Sequence, residues 1–244
     1  RDDGVAFINI GDSYNANGRT GHGTRTGYKQ GSNRASASGA DNSRASAPGL
    51  KAKDLIGIPW MLAFALRADG WYLRQEVIWH KPNPMPESVT DRFTKAHEQV
   101  FMLSKSERYW FDQDAVAEPA TGQNPGKVKP TKGGEAYENG ADEMRTSANL
   151  HKIGPRETRN KRDVWTIATE PSTIPHFAMM PTELARICIL AGCPEGGTVL
   201  DPFGGVGTTG VVAHRLHRNA VLIELNPVSV GHANDRLRAD AGMF

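Results

Sequence analysis

The sequence predicts an α/β domain: a mostly parallel sheet with helices packed on both of its faces. Three observations predict it. Short apolar runs rich in β-branched and aromatic residues alternate with stretches that carry helix start and stop signals. Those runs are almost continuously apolar rather than alternating, which is the pattern of strands covered on both sides. One of them leads into a glycine turn that opens a helix, "TVLDPFGGVGTTG" over residues 198–210.

The strands in chain order are "VAFINI" (5–10), "QEVIWH" (75–80), "QVFMLS" (99–104), "TVLDPF" (198–203) and "AVLIEL" (220–225). Helices fall between them. "PWMLAFALRADG" has Pro59 placed for a first turn and Gly70 just past the end, and "PTELARICILAG" repeats this with Pro181 and Gly192. In the second helix Leu184, Ile187, Cys188 and Ala191 share one face. A third helix is expected from about Thr208 and a last one from about Pro227. Two stretches, 15–50 and 117–162, are polar and carry no apolar period, so they are read as long loops or disorder. The chain thus divides into residues 1–116 (with the 15–50 loop), an insertion at 117–162, and residues 163–244.

A chain of 244 residues fits one large domain, or one domain with an insertion. Hydrophobic content of 38% and a mean hydropathy of −0.50 allow a core but leave much solvated surface. No apolar stretch is long enough to span a bilayer, and no signal-peptide pattern opens the chain. The cytoplasm is the expected location. Two cysteines, Cys188 and Cys193, are too few for a disulfide framework. They form no C-x-x-C pair, and His80 and His176 lack ligand spacing, so no metal site is expected. The net charge of +2 does not establish a nucleic-acid partner. Basic residues do cluster, at Arg19, Arg25, Lys29, Arg34 and Arg44 and again at Lys152, Arg156, Arg159, Lys161 and Arg162. Such segments hold a phosphate backbone or are simply solvated. The chain opens without Met on "RDDG", from which an N-terminal piece is expected to be absent.

Gly205, Gly207 and Gly210 match G-x-G-x-x-G, with Glu224 closing the next strand. That pattern first suggests a dinucleotide-binding oxidoreductase, but two features oppose it. Such a domain needs several strands after its fingerprint, whereas only "AVLIEL" follows here, so the remaining strands come from earlier and the motif order is permuted. Asp201 at the mouth of the loop would repel a diphosphate. A ligand with a cationic sulfonium and a ribose for Glu224 suits these acids better, and S-adenosylmethionine has those parts.

"VLDPFGGVGTTG" followed by "VLIELNP", with "HFAMMPTELARICILAG" before it, resembles the S-adenosylmethionine-binding half of amino-directed DNA methyltransferases, which modify cytosine N4 or adenine N6. "GVAFINIGDSY", "GWYLRQEVIWHKPNPMPESVTDRFTKAHEQVFMLSKSERYWFD" and "RDVWTI" resemble the catalytic half, and this order is that of the permuted beta-type members. The resemblance implies a Rossmann-like methyltransferase fold with circularly permuted motifs. By it, residues 1–116 are the catalytic half, 117–162 the variable target-recognition insertion and 163–244 the cofactor half. It assigns cofactor contacts to Asp201, Phe203, Gly205, Gly207, Thr208, Thr209 and Glu224, and the methionine end to the segment from His176 through Pro181. It implies double-stranded DNA as substrate, a cognate restriction endonuclease as partner, a bacterial or phage setting, and a monomer or dimer.

One departure matters. The family's catalytic motif, Asp or Ser followed by Pro-Pro-Tyr or -Trp, is expected upstream of "FINIGDSY", and no Pro-Pro pair occurs in the chain. The catalytic residues are therefore left unassigned, and the chain as given is expected to bind cofactor weakly and not to methylate by itself. Asp12 and Ser13, ending the first strand, are pocket candidates, with a plain turn as the alternative. Lys81, Arg92, Lys152, Arg156 and Arg159 are the DNA-contact candidates. The implied reaction is direct, in-line transfer to the amine of a flipped base. Cys188 and Cys193 read as packing residues and not as nucleophiles, Trp79 as core, and His97–Glu98 as a structural pair. "FINIGDSY" leans toward cytosine N4, with adenine N6 as the nearest alternative. A nicotinamide oxidoreductase and a non-catalytic DNA-binding remnant are the distant ones.

Overall fold

A computed structural model describes residues 1–15, 49–120, 157–171 and 179–242. The helices are α1 (Ile58–Ala68), α2 (Thr182–Gly192), α3 (Thr208–Arg215) and α4 (Pro227–Asp240). The strands are β1 (Val5–Ile10), β2 (Tyr72–His80), β3 (His97–Ser104), β4 (Glu118–Pro119), β5 (Thr158–Arg159), β6 (Val164–Thr166), β7 (Thr198–Asp201) and β8 (Asn219–Leu222). None of the described helices is long and apolar enough to cross a membrane, and no described group of three or more His, Cys, Asp or Glu could hold a metal ion.

The architecture is α/β, but the strand directions differ from the mostly parallel expectation. β1, β3, β2 and β6 form one sheet in that order. β3 runs antiparallel to both β1 and β2, and only β2–β6 is parallel. The link between β2 and β3 explains this. Pro82, Pro84 and Pro86 deny it the crossover helix that a parallel return ordinarily uses, so the chain doubles back. β7 and β8 make a separate parallel pair, and β4 and β5 a two-residue ladder flanking residues 121–156. β6 is too short for periodicity to reveal, yet its Trp165 is buried.

The larger sheet is covered on two faces. On one, Val77, Trp79, Val100, Trp165 and Ile167 pack with Leu184 and Ile187 of α2, joined by Phe7 of β1. On the other, Phe101 and Leu103 pack with Ala63 of α1, joined by Ile8. Successive residues of β1 thus point to opposite layers, as a pleated strand requires. The indole of Trp79 donates to the carbonyl of Ile167 at 2.8 Å, so its polar edge is satisfied inside the core.

Helix α2 serves both sheets. Its Ala185 and Ile189 pack with Val212 and Ala213 of α3, and Val199 of β7 lies against this cluster. Its last residue, Gly192, lies beneath β1: a Cβ there would come within 2.5 Å of Val5 and 2.9 Å of Phe7. β1 therefore begins under the C-terminal end of α2, and β7 begins there too, after the link 193–197. Both strands lead to the same carboxyl edge, where ligands bind in open α/β sheets.

Candidate functional site

At that edge two carboxylates hold the glycine turn. Asp201 ends β7; one of its oxygens accepts from the amide of Phe203 at 3.0 Å and the other from the Thr209 hydroxyl at 2.6 Å. Glu224 lies just past β8; it accepts from the amide of Gly205 at 2.8 Å and from that of Asn226 at 2.8 Å. Because Asp201 is level with Leu222 across the parallel pair, both acids reach the loop from neighbouring strand ends. A cation closes the back: Arg236 of α4 donates to the Val206 carbonyl at 2.8 Å and to the Thr208 hydroxyl at 3.1 Å.

The glycines have two different duties. Gly205 (φ 51°) and Gly207 (φ 81°) occupy the left-handed region, where other residues are strained. Gly207 also has no room for a side chain, since a Cβ would lie 2.9 Å from that of Ala233. Gly210 is similarly tight, 2.8 Å from Leu222. These positions seat α3 against α4 and β8; Gly205 is the one whose backbone amide meets an acid. Phe203 and Leu225 stand out into solvent beside the loop, 88% and 97% exposed.

The other candidate residues are placed as follows. Pro181 is buried at the N-terminus of α2, its carbonyl accepting from Leu184 at 3.1 Å. His176, Lys152 and Arg156 lie outside the described residues, as do Arg19, Arg25, Lys29, Arg34 and Arg44. Asp12 follows β1 and its carboxylate is engaged in the fold: it accepts from the amides of Gly57 at 3.0 Å and Ile58 at 3.1 Å, capping α1 from 45 residues away. The Ser13 carbonyl accepts from Ile56 at 2.9 Å, in the same tie.

The cationic candidates among the described residues are ion-paired within the chain. Lys81 pairs with Glu98 and lies 4.3 Å over the Trp79 ring. Arg92 pairs with Glu87 at 2.6 Å and stacks 4.1 Å over Tyr14. Arg159 and Arg162 both bond Glu118, at 2.8 and 2.6 Å. Partial burial opposes ionisation of Glu118, but the two guanidinium groups hold its carboxyl below the usual range. Glu98 takes Asn9 at 3.0 Å as its second partner, so it is held by Asn9 and Lys81 and not by His97. Cys188 of α2 packs against the core, and burial pushes its thiol up to about 12; burial also raises Cys193, opposed by Arg218 and Arg1. A thiolate nucleophile is unavailable from either at neutral pH.

Sequence reasoning missed Arg236, Glu118 and the Asn9–Glu98–Lys81 chain. Arg236 meets a loop 28 to 30 residues earlier, and no local pattern signals that. Glu118 is the second residue of the polar stretch 117–162 and reads as one more loop acid. Asn9 lies inside an apolar strand, and that polar break was its only signal.

A family model described as DNA methylase matches residues 1–235. Among curated proteins, a Type II methyltransferase, M.SmaI of Serratia marcescens, is 43% identical over 97% of this chain and 68% of its own. M.Cfr9I of Citrobacter freundii is 45% identical over 98% of this chain and 66% of its own. The chain therefore spans about two thirds of the length of these relatives. Among solved structures, the cytosine-N4-specific PvuII DNA methyltransferase has a TM-score of 0.52 at 20% identity, covering 82% of this chain and 65% of that one. The M1.HpyAVI–SAM complex has 0.50 at 22%, covering 74% and 69%.

Proposed function

This chain belongs to the DNA methylase family of amino-directed methyltransferases, and from that premise we propose that its carboxyl-edge loop holds S-adenosylmethionine for methyl transfer to cytosine N4 in double-stranded DNA. The observation that carries the reading is the pair of acids, Asp201 and Glu224, closing on one glycine turn from adjacent strand ends.

The residues suit that cofactor on three counts. A carboxylate has about four acceptor positions, so Glu224 can hold the Gly205 and Asn226 amides and also accept ribose hydroxyls. Phe203 and Leu225 offer exposed apolar surface beside Glu224, as a nucleoside ring needs. Two acids and an Arg236 committed to the Val206 carbonyl make a poor seat for a diphosphate, which disfavours the oxidoreductase reading. Bound there, the cofactor supplies an electrophilic methyl on a sulfonium.

The chain's own residues do the positioning. Asp201 and Thr209 fix the start of α3, and Arg236 fixes the loop from behind, so the cofactor cradle is set before anything binds. Asp12 ties the end of β1 to α1, leaving Ser13 at the edge that a flipped base must approach. A preorganised cradle of this kind accelerates by orientation, with no covalent intermediate on the protein. The DNA-contact role of Lys81, Arg92 and Arg159 requires them to exchange their carboxylate partners for phosphate. The preference for cytosine rests on the likeness of "FINIGDSY" to members whose motif begins with Ser. A cognate restriction endonuclease is the partner such an enzyme implies.

Nucleoside analysis tests the target. DNA from a methylation-free host expressing an enzyme that contains this chain should yield N4-methylcytosine. N6-methyladenine would move the acceptor to adenine, and neither product would favour the DNA-binding reading.

A further inference from the structure

The link 81–96 between β2 and β3 carries an aromatic side chain that the core does not use. Phe93 is 97% exposed, although the backbone on either side of it is tied down. The Glu87 carboxylate accepts from the Arg92 guanidinium at 2.6 Å and from the Lys95 amide at 3.3 Å, so it grips the chain before and after Phe93. Arg92 also donates to the Phe93 carbonyl at 3.2 Å and stacks 4.1 Å over the Tyr14 ring. Asp91 pairs with Lys53, and Tyr14 bridges to Leu55. A single exposed apolar residue is ordinary on a protein surface. Ordering the chain around such a residue costs conformational entropy, however, and solvation of the ring does not require it.

The ring is held at the carboxyl edge. β3 runs antiparallel to β1 with Ile10 level with Gln99, so residues 11–13 leave β1 beside the start of β3, where the link ends. Phe93 follows the residue that stacks on Tyr14, and Tyr14 follows Ser13. The ring therefore stands beside the point at which the proposed reaction takes in its base. Around it Lys53, Arg92 and Lys95 outnumber Glu87 and Asp91, a balance that suits a phosphate-bearing partner. A base that swings out of its duplex leaves a gap between two base pairs. An apolar side chain entering that gap restores stacking on both neighbours, and Phe is one of the residues that wedge between base steps.

We propose that Phe93 enters the duplex stack in the place the target base vacates, and that the braced link holds the ring in a fixed position beside Ser13. Phe93 is then a positioning residue. It acts on the DNA around the target and touches neither the cofactor nor the reacting amine. The proposal rests on the methyltransferase reading, and it gives the ties among Glu87, Arg92, Lys95 and Tyr14 a purpose beyond loop order.

The test measures DNA binding by the chain, by fluorescence anisotropy, with two duplexes of one mixed sequence. One duplex is intact and the other has a single central abasic site, which offers the gap without the cost of unpairing. At one salt concentration the abasic duplex should bind about fivefold tighter or more, the low end of what stacking on one aromatic ring contributes. Phe93→Ala should bring that ratio to about one. It should leave affinity for the intact duplex within about twofold, with the salt dependence and the melting temperature unchanged. Phe93→Leu, still an apolar wedge, should keep part of the ratio. A purely structural Phe93 would instead move the melting temperature and both affinities together. Equal binding of the two duplexes by the unaltered chain, binding of neither, a ratio that survives Phe93→Ala, or an equal fall on both duplexes would overturn the proposal. S-adenosylmethionine binding is titrated in parallel. Cofactor binding without the abasic preference sinks this inference and leaves the function standing, whereas the preference without cofactor binding does the reverse.

Discussion

Glu224 carries two loads that a single substitution can separate. It holds the loop through two backbone amides, and it is the proposed acceptor for the ribose. Replacement by Gln keeps the size and one acceptor oxygen but loses the charge. A hydrogen bond to a charged group contributes about 1.5–3 kcal/mol, so Glu224→Gln should weaken S-adenosylmethionine binding about tenfold or more in a calorimetric titration. The melting temperature should move by a few degrees at most. A large drop in melting temperature with unchanged cofactor affinity would make Glu224 purely a loop brace.

Cys188 makes an independent residue-scale prediction. Its thiol titrates near 12 in the folded chain and near 9 when unfolded. A raised folded pKa means that the stabilisation is full below the unfolded value and is lost as pH rises from about 9 toward 12, by up to ~1.4 kcal/mol per pH unit. Cys188→Ala should flatten that part of the urea-stability profile. Iodoacetamide should label Cys188 slowly at pH 8.5 in the native chain and rapidly in urea.

At the scale of elements, the tie between β1 and α1 is the most testable. α1 begins with Gly57 in the left-handed region and has no cap from its own N-cap side chain; Asp12 supplies one from a distant strand end. Cap removal costs about 1 kcal/mol. Asp12→Ala should lower the stability measured in urea by about that much and speed amide exchange in 57–62, while Asp12→Asn should cost less. If exchange in α1 is unchanged, the Asp12 bonds are incidental.

Element by element, the sequence was legible where pattern and structure have one cause. β1 matches its expected range, and the helices begin within a residue of their expected prolines and threonine. β7 and β8 stop earlier than the apolar runs, at Asp201 and Leu222, because the chain must leave the ladder to form the glycine turn. β6 and the antiparallel turn at β3 were not legible. The first is three residues long, and the second depends on prolines whose effect is to deny a crossover, which periodicity does not report. At the site, the acids and Gly205 were legible from spacing. The partners of Lys81, Arg92 and Arg159 were not, because Glu98, Glu87 and Glu118 reach them by tertiary contact or by short-range ion pairing that composition does not rank.

On the scale of the whole molecule, one helix packs against two sheets that share no hydrogen bond among the described residues. α2 packs against both β1 and the β7–α3 cluster, so it fixes the glycine loop relative to β1. Whether that loop takes a sulfonium nucleoside is the point on which the account turns. Isothermal titration of the chain with S-adenosylmethionine and, separately, with NAD decides it. One equivalent of S-adenosylmethionine should bind, weakened about tenfold by Glu224→Gln, with no heat from NAD. Saturable NAD binding with none for S-adenosylmethionine would contradict the account.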